Sequence, residues 1–140
     1  MVPIEVENKT GEGVCAEVFY DGNMFGLWMR ISGPSENINW DGILVATRVA
    51  TSKKVKFVRV DVSQIEGLGF TGAISMHLKE VFREHGFLKV ILNMTPFQLA
   101  DFRSGEWGET CIALGGEVFT SRSKADIYAQ RLSVGLAEKI

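Results

Sequence analysis

The chain reads as an α/β protein whose mixed β-sheet opens with an antiparallel hairpin, continues in parallel strands and carries about four to five covering helices. Two near-continuous apolar runs, 55–62 and 88–94, have the pattern of central strands covered on both faces. Each is followed by a stretch with helix-start chemistry or helical spacing, and such strand–helix–strand units demand parallel neighbours with right-handed crossovers. Near the N-terminus, Asp21-Gly22-Asn23 between two runs rich in β-branched and aromatic residues is a hairpin signal.

Taken in order, residues 1–12 are polar, end in a glycine-rich turn and read as a leader; residues 13–140 read as one domain. Residues 14–20 and 24–31 form the hairpin strands, and Ser32-Gly33-Pro34-Ser35 then breaks the sheet pattern. Ile38, Ile43, Leu44, Val45 and Val49 predict a helix over roughly 37–51 with an Asn or Ser cap, weakened by Gly42 at about 1 kcal/mol. The strand 55–62 leads into a helix over about 71–85, in which Ala73, Ile74, His77, Leu78, Val81 and Phe82 recur on one face. Gly86 suits the left-handed position that closes a helix. After the strand 88–94, Thr95-Pro96 supplies a cap and a first helical residue. Two helical pieces are expected from there to Gly116, separated near Ser104-Gly105 and Gly108. A short strand at about 117–120 and a capping box in Ser123-Lys124-Ala125-Asp126 open the C-terminal helix.

Composition narrows the function. A net charge of −2 and a pI near 5.7 provide no basic field for a phosphodiester backbone, so nucleic acid is not an expected partner. Hydrophobic residues at 46% and charged residues at 23% exclude the composition of disordered chains. The start of the chain lacks a secretory signal, and no run of about 18 apolar residues occurs that could insert in a membrane. A cytoplasmic protein is expected, in which Cys15 and Cys111 are buried thiols and neither belongs to a metal-ligand spacing. Asp41, Asp61 and Asp101 lie on different elements, so no catalytic residue, metal or cofactor is assigned. His77 reads as core or partner-facing, His85 as a helix-end residue favoured by the dipole, and Trp28, Trp40 and Trp107 as core or near-core.

The most informative stretch runs from Phe57 to Gly72, where an apolar strand passes through a short loop into a helix and places Thr71 at or beside the N-cap. Gly67-Leu68-Gly69-Phe70-Thr71-Gly72 also spells G-x-G-x-x-G, but no acidic residue about 20 positions on serves a ribose, which argues against a dinucleotide site.

Asp61-Val62-Ser63, then Ile65, then Gly69-Phe70-Thr71-Gly72, in this order of elements, resembles the STAS domain family, which includes bacterial anti-sigma factor antagonists. The family pattern is an Asp-Leu-Ser strand end followed by Asp-Ser-Ser-Gly at the second helix. Ala113 to Phe119 resembles its Leu-Thr-Gly-Leu segment, and Ala125 lies in a similar last helix, so the resemblance spans roughly 14–138. It implies a stand-alone, non-enzymatic regulator acting through protein contact, with an anti-sigma factor, a kinase or a related regulator as partner, and leaves room for a homodimer. The partner surface it implies comprises Glu66, Gly69, Phe70, Thr71, Gly72, Ser75, Lys79 and Arg83. Phe70 stands where the family's usual phosphoacceptor serine lies and Gly69 replaces the preceding acid, which leaves Thr71 as the phosphoacceptor candidate. A phosphate there would add about −1.5 to −2 charge at the helix start. An exposed Phe70 would instead give a permanent apolar anchor; packed inward, it would leave Thr71 as a simple cap. The alternative function is a small-ligand sensor or transporter-associated subunit of the same fold, using the extra segment near 94–112.

Overall fold

The computed structural model describes residues 2–20, 25–67, 76, 79–80, 84–103 and 116–139, with residues 102 and 103 described by their backbone alone. Six strands form one sheet in sequential order: β1 (Ile4–Glu7), β2 (Val14–Tyr20), β3 (Gly26–Pro34), β4 (Phe57–Glu66), β5 (Lys89–Asn93) and β6 (Gly116–Phe119). The pairs β1–β2 and β2–β3 are antiparallel, whereas β3–β4, β4–β5 and β5–β6 are parallel. The mixed α/β sheet with an antiparallel start is therefore present.

Alternation along the strands divides the side chains between two layers. Leu27, Met29 and Ile31 of β3, with Val58, Val60 and Val62 of β4 and Val90 and Leu92 of β5, belong to the larger core. Phe57 and Ile91 point to the opposite face, where they meet Ala125 and Ala129. The larger core is covered by α1 (Trp40–Ala50), which buries Ile43, Ala46, Thr47 and Ala50. The opposite face is covered by α3 (Arg122–Glu138), whose Ala125 and Ala129 allow close approach to the sheet. Between β5 and β6 stands α2 (Pro96–Arg103).

Several expectations need correction. Residues 4–7, read as part of a leader, are an edge strand: Val6 pairs with Ala16 and is buried in the larger core, and Ile4 packs partly buried against the same core. The strand β3 does not stop at Ser32. It continues to Pro34 against Glu66, because Gly33 takes a φ of +100° and as the last residue of an exposed end Pro34 needs no N–H for the ladder. Likewise β4 runs four residues past Val62. Its alternation breaks at Ser63-Gln64 because β4 carries one extra residue there, Arg30 pairing with Asp61 and Ser32 with Gln64. That bulge resets the phase, so Ile65 returns to the larger core.

Three α-helices stand among the described residues, not the four to five expected. Residues 76, 79, 80, 84 and 85 are helical, while the rest of 71–85, the helical piece expected within 104–115 and the hairpin turn 21–24 lie outside the described residues. The last helix is capped by Ser121, two residues before the expected box, its side chain accepting from Lys124 N at 3.4 Å. Gly86 has a φ of +61°, matching the left-handed closing position.

Gly42 has a packing reason that outweighs its helix penalty. The α1 cap, Asn39, accepts from Gly42 N at 3.0 Å and donates through Nδ2 to Glu7 O at 3.2 Å, stitching the helix start to β1. A Cβ on Gly42 would lie 2.6 Å from Asn39 Nδ2 and 2.8 Å from Val6 Cγ1. Gly42→Ala is therefore expected to lower the urea-unfolding free energy by about 1–3 kcal/mol despite alanine's better helix propensity. Unchanged or increased stability would contradict that close fit.

Candidate functional site

The carboxyl half of β4 brings part of the sequence motif together. Asp61 Oδ1 accepts from Ser63 N at 3.0 Å and from Ser63 Oγ at 2.6 Å, so the two polar residues of Asp61-Val62-Ser63 lock one another across the bulge. Behind them, α2 begins with a reciprocal cap: Gln98 N donates to Thr95 Oγ1 at 3.1 Å and Thr95 N donates to Gln98 Oε1 at 2.8 Å. Gln98 Nε2 then donates to Val62 O at 2.8 Å, tying this buried cap to the strand where its ladder is irregular. The strand ends at exposed Glu66, after which Gly67 turns with a φ of +95° against Ser35.

Of the expected partner surface, Glu66 and Lys79 are described and both are exposed. Gly69, Phe70, Thr71, Gly72, Ser75 and Arg83 lie outside the described residues, as do His77, Trp107 and Cys111. Cys15 is buried, its Sγ 3.7 Å from Glu7 O. His85 ends its helical stretch with its ring 5.9 Å from that of Phe87.

The helical residues after β4 are held beside α1 by charge. Arg48 Nε and Nη2 donate to the two carboxylate oxygens of Glu84 at 3.0 and 2.7 Å, and Nη2 reaches Glu80 at 3.4 Å. Glu84's carboxyl is held below its ordinary range, chiefly by the Arg48 hydrogen bonds, and the same contact raises Arg48. Val45 is three residues before Arg48 and four before Val49, so it neighbours both on α1, and Met76 is four residues before Glu80. Val45, Val49 and Met76 are exposed, at 58%, 72% and 74% respectively. An apolar surface thus flanks the ionic bridge, with Lys79 beside it in sequence.

A second cluster was not singled out in the sequence. Trp28 of β3 lies opposite Phe19 and Arg59, its ring 5.2 Å from that of Phe19. Guanidinium carbons stand 3.9 Å (Arg59), 4.8 Å (Arg30) and 5.4 Å (Arg122) from the Trp28 ring. Arg59 is 1% exposed, and its Nη2 is 2.7 Å from Asp126 Oδ1. A cleft of about 280 Å³ opens alongside, lined in part by Glu17, Arg30, Asp61, Gln64 and Arg122. The periodicity of β3 and β4 could have flagged this cluster, since Trp28, Arg30, Arg59 and Asp61 all have the parity opposite to the valine-rich core. Arg59 is paired with Asp126, and among the described residues no three His, Cys, Asp or Glu side chains converge as a metal would need.

No family model, curated protein or solved structure matches this chain. No helix among the described residues is long and apolar enough to cross a membrane.

Two outcomes follow from these contacts. Asp126→Ala, which removes the carboxylate from a nearly inaccessible guanidinium, should cost about 1–3 kcal/mol in chemical denaturation; the apolar replacement Arg59→Met should cost less, and the reverse ranking would refute the pairing. For Glu84, a carboxyl depressed by folding contributes stability above its unfolded pKa that is lost as pH falls through the folded value. Carbon-13 NMR should find Glu84 titrating at lower pH in the native protein than in Arg48→Ala, and coincident curves would show that the bridge does not form.

Proposed function

We propose that this protein is a STAS-like regulatory module without catalytic activity, working as an anti-sigma factor antagonist or related adaptor through protein–protein contact. The observation that carries the reading is the surface shared by α1 and the helical residues that follow β4. Val45, Val49 and Met76 leave apolar side chains in solvent on either side of the Arg48–Glu80/Glu84 bridge. Folding gains nothing from exposing them, and an apolar centre with a charged surround is the composition of a docking patch. Exposed Lys79 stands next to Glu80 in sequence, and exposed Glu66 precedes in sequence the segment that carries Phe70 and Thr71.

In this reading Met76 and the two valines supply contact area, Lys79 and the Arg48 network orient the partner, and Thr71 is the position at which added phosphate would oppose an apolar or acidic partner. The protein works as a cytoplasmic partner-exchanging regulator, with a second copy of the chain as a further candidate partner. The alternative of a small-ligand sensor draws support from the arginine-lined cleft beside Trp28, where Arg30 and Arg122 flank an aromatic ring.

Affinity capture from native lysate, comparing wild type with Val49→Glu, Met76→Glu, Phe70→Ser, Thr71→Ala and Thr71→Glu, tests the proposal. A partner retained by Thr71→Ala but lost with Thr71→Glu, Val49→Glu and Met76→Glu is the expected result. Capture indifferent to all five changes would remove this surface from the mechanism.

A further inference from the structure

At the opposite end of β4 from Glu66, a groove of about 290 Å³ runs between α3 and the first residues of β4 and β5. Its floor is apolar: Phe57, Leu132 and Leu136, with Leu88, 62% exposed, forming one wall. Its rim is cationic, composed of Lys56, Lys89, Arg131 and Lys139, and no Asp or Glu among the described residues lines it. Lys89 Nζ has Glu117 at 4.0 Å, the outer limit of an ion pair, so the rim keeps an excess of positive charge in a chain of net charge −2.

Gly135 makes the groove more than a surface irregularity. It lies inside the 17-residue helix α3, where glycine is less favourable than any ordinary residue except proline. Glycines elsewhere in this fold have local reasons, such as the crowding at Gly42 or the positive φ of Gly86. At Gly135 a Cβ would meet nothing within 4 Å and φ is not positive, so neither crowding nor backbone conformation requires its absence. Its effect is to keep the groove open along the helix.

We infer that this groove binds a small anionic amphiphile, an apolar chain of medium length bearing a carboxylate or similar head group. The chain would lie over Gly135 against Leu132, Leu136 and Phe57, and the head group would meet the lysine and arginine rim. An apolar floor matches a hydrocarbon chain, and four cations on the rim select the sign of its charge. The inference is independent of the regulatory reading, since the groove lies on the face of the sheet covered by α3 and the other surface on the face covered by α1.

Isothermal titration calorimetry with sodium decanoate below its micelle concentration provides the test, with acetate and decyltrimethylammonium as controls. Saturable binding of decanoate alone is expected, lost in Gly135→Leu and weakened in Lys89→Glu/Lys139→Glu, with a thermal midpoint for Gly135→Leu no lower than wild type. Leu88→Glu, at an exposed position, should also abolish binding without dependence on helix packing. Absence of saturable decanoate binding, or equal binding by Gly135→Leu and wild type, would overturn the inference. So would either rival occupant: association with anionic phospholipid vesicles that Gly135→Leu leaves intact, or a dimer that Gly135→Leu dissolves while decanoate never binds.

Discussion

Burial of β4 on both faces is the constraint from which the rest of the molecule follows. Val58, Val60 and Val62 fill the core beneath α1, while Phe57 belongs to the layer under α3, so neither layer closes without this strand. Parallel pairing to β3 on one side and β5 on the other fixes its direction, and direction decides which end presents which chemistry. The amino end starts at the apolar groove beside α3, and the carboxyl end emerges at exposed Glu66. Arg59 is the exception in this strand, a buried guanidinium accommodated by the Trp28 ring and the Asp126 carboxylate. A charge so enclosed specifies register, because a slip by one residue would carry it into the valine layer.

Much of this was legible in the sequence because the physical signals were local. Continuous apolar runs marked β4 and β5; an Asn or Ser cap was expected near the start of α1, which Asn39 supplies, and Thr95 marked the start of α2; Gly86 marked a helix end. What escaped depended on contacts between distant segments. The strand at Ile4–Glu7 buries Val6 with Ile4 partly covered beside it, and depends on the neighbouring β2 edge and on Asn39 reaching Glu7. The bulge at Val62-Ser63 disguises the last third of β4, since alternation counted along one strand fails wherever an extra residue is inserted. Gly42 read as a weakness because its neighbours, Asn39 and Val6, come together only in the folded chain.

The candidate surface was legible in a different measure. Spacing and resemblance pointed to the junction after β4, and Glu66 and Lys79 do lie exposed there. The exposure of Val45, Val49 and Met76 was hidden in the sequence, because the two valines were counted in the apolar pattern that predicted α1. Their exposure arises from the width of that helix's apolar stripe: Ile43, Ala46, Thr47 and Ala50 already fill the face against the sheet, so Val45 and Val49 fall outside it. Pairing of Arg48 with Glu80 and Glu84 then ties the helical residues that follow β4 to α1.

Site-specific photo-crosslinking tests the central claim most directly, with benzoylphenylalanine introduced in turn at Met76 and at Ile127, an exposed residue of α3 in the opposite layer. The account predicts a discrete covalent adduct with a cellular protein from position 76 and none from position 127. An adduct from position 127 alone, or from neither position, would contradict it.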